Sequence, residues 1–302
     1  MYISQNNNKL FKFLNIMTDV TKSVLAQYEK NKAASGSSGK FASQEERMKK
    51  YFATIIPTGK REDERRIRIL PTKDGGTPFI EVKLHEIQVD GKWIKLYDPA
   101  QDGKRSPLNE VYDALMDTGI ESDKELARTY YARKFFIVKL IDRDNEEDGP
   151  KFWRFKNKYK GGGIFDKIGP LFKNKGDITD VETGRDLTLS LVLEKSNNGK
   201  DYTVVSTVIP EDPSPLHTDP AKVKEWVEDT LTWRDVYAIK TEEYLEMVAN
   251  GETPKWDPDS KKYVSKTGTA EATIGDGKTE EEPDIPDPQV DDEPDDKDDL
   301  PF

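Results

Sequence analysis

Lys151-Phe-Trp-Arg-Phe-Lys-Asn-Lys-Tyr159 is the stretch of this chain that decides its reading. In an extended strand, side chains alternate between two faces. Trp153, Phe155 and Tyr159 then share one face, and Arg154, Lys156 and Lys158 share the other. An amphipathic strand with a buried aromatic face and a solvated basic face satisfies this pattern. So does a surface that lays rings against unstacked bases and cations along phosphates, where each stacked base contributes about 1–3 kcal/mol. The alternation predicts a strand and leaves open which face meets a ligand.

Working outward, the apolar run 130–141 pairs with this strand across an acidic loop holding Asp142, Asp144, Glu146, Glu147 and Asp148. Upstream, Arg66-Ile67-Arg68-Ile69-Leu70 alternates and 79–89 forms a second run. Asp90-Gly91 is a hairpin signal leading into Trp93-Ile94-Lys95-Leu96-Tyr97. Downstream, Gly161-Gly162-Gly163 closes the strand, and Ile164, Phe165, Ile168, Leu171 and Phe172 have helical spacing. Runs 187–194 and 202–209 flank Asn197-Asn198-Gly199, a second hairpin signal. Ser43-x-x-Glu46 and Ser122-x-x-Glu125 are capping boxes, the first opening a helix to about Phe52. Ser106-Pro107 opens another helix, since proline at the first helical position costs no hydrogen bond. Helices follow at 220–231 and 241–249, and beyond Pro254 periodicity is lost. Strands with helices between them, and no βαβ regularity, predict an α+β fold. A small Greek-key β-barrel core with helical insertions, over residues 43–252, fits.

Composition sets the flanks. Only 34% of residues are hydrophobic and 35% are charged, which predicts that part of the chain is unstructured. Residues 271–302 hold fourteen acids, two lysines and five prolines, so the remaining 270 residues carry a net charge of +1. Within those, 151–175 holds eight Lys or Arg against one acid, Asp166. Residues 1–42 form a mildly basic arm with a Gly/Ser linker, and 253–302 form an acidic tail expected to be disordered. An acidic tail beside a basic body suggests binding of a polyanion. Cysteine is absent and histidine is limited to His85 and His217, which excludes disulfides and a thiolate zinc site. No apolar run reaches the roughly 18 residues of a membrane span, and the start has no signal-peptide pattern. A soluble cytoplasmic protein is expected.

Candidate ligand-binding residues fall in clusters. Arg66, Arg68 and Lys73 surround the first strand, and Trp93 lies on the hairpin. Arg128, Tyr130, Tyr131, Arg133 and Lys134 begin the long strand. Trp153, Arg154, Phe155, Lys156, Lys158, Tyr159 and Lys160 complete the set. Each cluster alone fits a charged strand end; together, opposed by an acidic tail, they predict nucleic-acid binding. Lys160-Gly-Gly-Gly163 lacks the Gly-Lys-Ser/Thr ending of a phosphate-binding loop. The acids of 142–148 read as a solvated hairpin loop rather than a metal site, and His85 reads as an ordinary strand residue. No nucleophile, base and orienting acid stand out, so neither an enzyme nor a cofactor is expected.

Several of these motifs occur together in a known family. Arg66-Ile-Arg-Ile-Leu-Pro-Thr-Lys73, His85, Asp90-Gly-Lys-Trp93, Tyr130-Tyr131, Phe152-Trp-Arg-Phe155 and Ile164-Phe-Asp-Lys-Ile168 follow one another in order. The series resembles the T-even phage helix-destabilising single-stranded DNA-binding proteins over about residues 65–216. The resemblance implies an OB-fold core, a basic N-terminal segment for self-association along DNA, and an acidic C-terminal segment for replication partners. It places Arg68, Tyr130, Tyr131, Trp153 and Arg154 where that family has DNA-contacting arginines and aromatics. The family's core holds zinc through one histidine and three cysteines; His85 stands at a corresponding histidine, but without cysteine the metal site is absent. The family's Lys/Arg-Ser/Thr motif near the N-terminus is absent too. Asp298-Asp299-Leu300-Pro301-Phe302 resembles the tail tip of bacterial single-strand binding proteins, which implies capture of a polymerase, helicase or primase loader. The expected function is sequence-independent coating of single-stranded DNA in the cytoplasm of an infected bacterial host, in replication, recombination and repair. A single-stranded RNA-binding translational regulator, a strand-annealing recombination protein and a nuclease using the 142–148 acids are the rivals.

Overall fold

The computed structural model describes residues 44–156, 158, 162–196, 199, 201–257 and 259–265. The chain divides into two units, Met1–Arg47 and Met48–Phe302. The basic arm, Tyr159, Lys160 and Asp298, Asp299, Leu300, Pro301 and Phe302 lie outside the described residues. Helix α1 (Gln44–Met48) ends earlier than expected. Tyr51 forms a parallel bridge with Phe152, and the Phe52 N–H donates to the Phe152 carbonyl at 2.8 Å, which draws the chain into the sheet.

The second unit is a mixed α+β structure around a mostly antiparallel seven-stranded sheet. Its strands are β1 (Glu62–Ile69), β2 (Ile80–Val89), β3 (Lys92–Tyr97), β4 (Ala132–Asp142), β5 (Lys151–Lys156), β6 (Arg185–Lys195) and β7 (Asp201–Pro213). They run β3-β2-β4-β1-β6-β7, and β5 also pairs with β4. Strand β4 binds β2 through 132–137 and β1 through 140–142, while β5 takes its other edge through 135–140. The β2–β3 turn forms where predicted: Asp90 and Gly91 have φ of 50° and 76°, the left-handed pair that a two-residue hairpin needs.

The helices are α2 (Pro107–Asp117), α3 (Glu121–Tyr130), α4 (Ile164–Lys175), α5 (Pro220–Glu228), α6 (Trp233–Val236) and α7 (Glu242–Ala249). Proline opens α2 as expected. Ser122 does not cap α3; the N-cap is Ile120, whose N–H donates to Thr118 Oγ1 at 3.2 Å, and Tyr130 closes the helix instead of opening β4. The expected linker after Pro254 begins as a hairpin, β8 (Pro254–Asp257) and β9 (Lys262–Ser265). Its Tyr263 ring stands edge-on to Trp256 at 5.2 Å and to Tyr244 of α7 at 4.8 Å. Three rings meeting this way hold a turn that periodicity alone does not register.

Two apolar clusters lie on one face of the sheet, since Ile87 and Leu96 share the register parity of Phe136. Phe136, Val138 and Leu140 of β4 join Trp153 and Phe155 of β5, Ile67 and Ile69 of β1, Leu187, Leu189 and Leu191 of β6, Val205 of β7 and Ile168 of α4. The second cluster packs Ile87 of β2 and Leu96 of β3 against Leu108, Tyr244, Leu245 and Val248 of α2 and α7. Arg105 fastens the same helices at their surface through Glu110, Glu242 and Glu246. The β2–β3 hairpin is therefore fixed from one side by helices, and its other side is left for charged residues.

Arg68, expected at a DNA surface, is fully buried in β1. A buried guanidinium is tolerated only when its donors are used. Arg68 donates to Asp186 Oδ1 at 3.2 Å, to the Asp180 carbonyl at 2.8 Å and to the Ser214 carbonyl at 2.9 Å. Arg143 brackets the same Asp186 carboxylate with two bonds of 2.9 Å. Gly184 completes this site, because a Cβ there would stand 2.3 Å from the Asp180 carbonyl oxygen and 2.6 Å from Arg68 Nη2. Gly184→Ala should therefore destabilise the fold by about 3 kcal/mol, the upper range for overpacking. A denaturant midpoint equal to that of the unsubstituted protein would contradict this.

Candidate nucleic-acid interface

Alternation along four adjacent strands builds the site. On the face of the sheet opposite Trp153 and Phe155, Lys95 of β3, Glu86 of β2, Arg133 of β4 and Lys156 of β5 form one row. Glu86 is the direct cross-strand partner of Lys95, and Phe135 is that of Lys156. Lys156 Nζ lies 3.0 Å and Arg133 Nη1 3.7 Å from the same oxygen, Glu86 Oε2. Lys95 Nζ sits 5.9 Å from the centre of the Phe135 ring. The Glu86 side chain is 13% exposed. Burial works against its charge, but Lys156, Lys95 and Arg133 outweigh that and hold its carboxyl below the ordinary value. Three cations from three strands stand around this one acid. Trp93, two residues before Lys95 on the same face of β3, is 53% exposed.

A strap formed by α6 and its flanks covers the neighbouring part of this face. Lys139 of β4 donates to the carbonyls of Asp229 and Leu231 at 3.1 and 2.9 Å. Tyr237 bonds the Phe152 carbonyl, and Tyr51 bonds that of Val236. Arg154 stacks over the Tyr237 ring at 4.5 Å, and Arg234 stacks over Tyr97 and Trp233 at 4.9 and 4.8 Å. Cations and rings interleave along the whole face, and the strap bounds the row of Lys95, Glu86, Arg133 and Lys156 on one side.

The predicted residues divide accordingly. Trp93, Arg133 and Lys156 come together on the row, and Lys158 follows as a half-buried residue. Trp153 and Phe155 are core residues, 0% and 1% exposed, so in this conformation neither ring can stack on a base. Arg154 is buried beneath Tyr237, and Tyr130 is partly buried against the helical cluster. Tyr131 is half-buried with its ring 5.6 Å from that of Tyr112. Arg66 is bidentate to Glu211 at 2.7 Å, Lys134 pairs with Glu81 at 2.9 Å, and Arg128 lies 4.0 Å from Glu121. Lys73 donates to the Glu228 carbonyl at the end of α5, where the helix dipole favours a cation. Lys95 and Glu86 escaped the sequence reading, although the alternation of Trp93 with Lys95 carried the signal.

His85 is more than an ordinary strand residue. It is fully buried; Nδ1 donates to the Tyr130 carbonyl at 2.6 Å, and Nε2 lies 3.7 Å from Asp98 Oδ1. Asp98 also accepts from the Ala100 N–H at 3.1 Å and from Asn109 Nδ2 at 3.1 and 3.2 Å. This cluster ties β2 to the ends of β3 and α3 and to α2. Burial would raise the Asp98 carboxyl, but the groups of His85, Ala100, Ser106 and Asn109 facing it hold it far below the usual range. Three acids of the 142–148 loop are taken up in structure: Asp142 and Asp148 each meet Lys151 at 2.9 Å, and Glu146 meets Arg143 at 2.7 Å. Among the described residues, no group of three or more His, Asp or Glu is placed to hold a metal ion, and no helix is long and apolar enough to cross a membrane.

No protein-family model matches this chain, and no curated protein sequence matches it.

Two outcomes follow from this geometry. Trp153→Ala should cost about 3–5 kcal/mol of stability through the cavity it leaves, while the folded fraction keeps its ligand affinity; calorimetry and titration on one sample check both. Asp98 adds pH-dependent stability. Its folded carboxyl lies below the unfolded value near 3.9, so its contribution is present above about pH 4 and is lost as pH falls through the folded value. Asp98→Asn should lower the urea midpoint at pH 7 and flatten its decline between about pH 4 and 3 relative to the unsubstituted protein.

Proposed function

We infer that this chain binds single-stranded DNA without sequence preference, across the row of Lys95, Arg133 and Lys156 with Trp93 beside it. The observation that carries the reading is the convergence of three cations, from three different strands, next to an exposed indole. Cations neutralise phosphates, and an aromatic face stacks on any base, which is the pairing that sequence-tolerant single-strand binders use. Stacking passes from Trp153 to Trp93, because the core claims the indole of Trp153. An OB-type barrel is the finer architecture we assign. In its support, β1, β4, β5, β6 and β7 all send side chains into one cluster, against which α4 packs. The acidic residues 271–302 are read as the element that recruits replication partners.

Titration of labelled oligo-dT across a salt series tests the reading. Log affinity should fall linearly with log salt, and Lys156→Ala should reduce the slope by about 0.7, the value for one phosphate contact on a single strand. Trp93→Ala should weaken binding to oligo-dT and oligo-dA alike by about 1–3 kcal/mol, with the melting temperature nearly unchanged. Affinity that stays flat across the salt series would overturn the reading. Equal or tighter binding of poly-rU at one salt concentration would favour RNA.

A further inference from the structure

We propose that Glu86 is a resident counter-anion, occupying the place of a phosphate among Lys95, Arg133 and Lys156 and competing with the nucleic-acid backbone for them. The proposal rests on reading this row as the phosphate site and adds the group that regulates it. Its basis is the position of one carboxylate. Glu86 projects from the middle strand of the row, with Lys95 directly across on β3 and the side chains of Arg133 and Lys156 reaching it from β4 and β5. Arg133 and Lys156, each only 12% exposed, both face a single oxygen, Oε2, Lys156 at the hydrogen-bond distance of 3.0 Å and Arg133 as an ion-pair neighbour at 3.7 Å. Three cations gathered without an anion would repel one another and turn outward. With the carboxylate present they stay aligned. An incoming phosphate can then enter without first gathering its ligands, but it must share them with a charge of its own sign.

Two consequences differ from those of an ordinary buried ion pair. Glu86 weakens binding of any backbone phosphate, whatever the base. It also lowers the number of counterions released, because a lysine already neutralised by protein condenses fewer ions from solution. Glu86→Gln keeps the side-chain size and an acceptor oxygen while removing the charge.

The experiment is oligo-dT titration over a salt series with the full chain, Glu86→Gln, Lys156→Ala and the double variant, with thermal melting to refer each affinity to folded protein. Glu86→Gln should tighten low-salt binding about fivefold, the scale of one like charge removed at about 4 Å in a water-like medium. It should also steepen the log-log salt slope by about 0.7. Glu86→Ala removes the same charge and should shift affinity in the same direction, which keeps the test open if the glutamine variant folds poorly. If Lys156→Ala weakens binding but neither Glu86 variant tightens it, Glu86 is a structural ion-pair partner and the proposal fails, while the site stands. If Lys156→Ala leaves binding unchanged, the row is not the phosphate site, and both readings fall.

Discussion

Residues 135–140 of β4 are held by β5 along one edge and by β2 and then β1 along the other, so this strand can neither slide nor rotate. A shift of one residue would turn every side chain to the opposite face. With the register fixed, Phe136, Val138 and Leu140 must enter the main cluster, and Arg133, Phe135, Ile137 and Lys139 must face the other way. The same parity passes across hydrogen bonds to β5, sending Trp153 and Phe155 inward and Arg154 and Lys156 outward. The charged row is thus the reverse side of the apolar core, and neither can be rearranged without the other.

Much of this was legible in the sequence. The alternation in Lys151-Phe-Trp-Arg-Phe-Lys, the Asp90-Gly91 turn and the proline before α2 are local signals, and each gave its element. Which face of β5 would be buried was not local. Rings and cations alternate there, and the choice depends on Ile67, Leu189 and Ile168, residues far along the chain that wall in one side. Trp93 stayed exposed for the converse reason: beside the Asp90-Gly91 turn, its ring is left half open to solvent. The strap over Arg154 was missed because 229–240 has no apolar period; it is held by backbone carbonyls accepting from Lys139 and Tyr51, and carbonyls leave no trace in residue identity.

The arginines of β1 show the limit of reading charge as surface. Arg66 and Arg68 alternate with isoleucines, as a solvated strand face would. Yet Arg68 lies under the loop around Gly184, with both of its Nη groups engaged by Asp186 and two backbone carbonyls. Shielded from water, a cation must find partners or cost several kcal/mol, and here Asp186 serves Arg66, Arg68 and Arg143 together. The pocket of positive charge suggested by sequence is a joint between β1, β6 and the chain after β7.

The order of strands across the row has a vectorial consequence. From β3 to β5 the four strands span about 14 Å at the usual inter-strand spacing, and they present unlike chemistry at the two ends: an aromatic plate at Trp93, an ammonium at Lys156. The α6 strap walls the row along one side. A sugar-phosphate chain is itself directional, so under the proposed function its two ways of lying on this surface would not be equivalent. Under the proposed function, such a surface would be a track with a built-in sense, setting one orientation for each molecule on a strand.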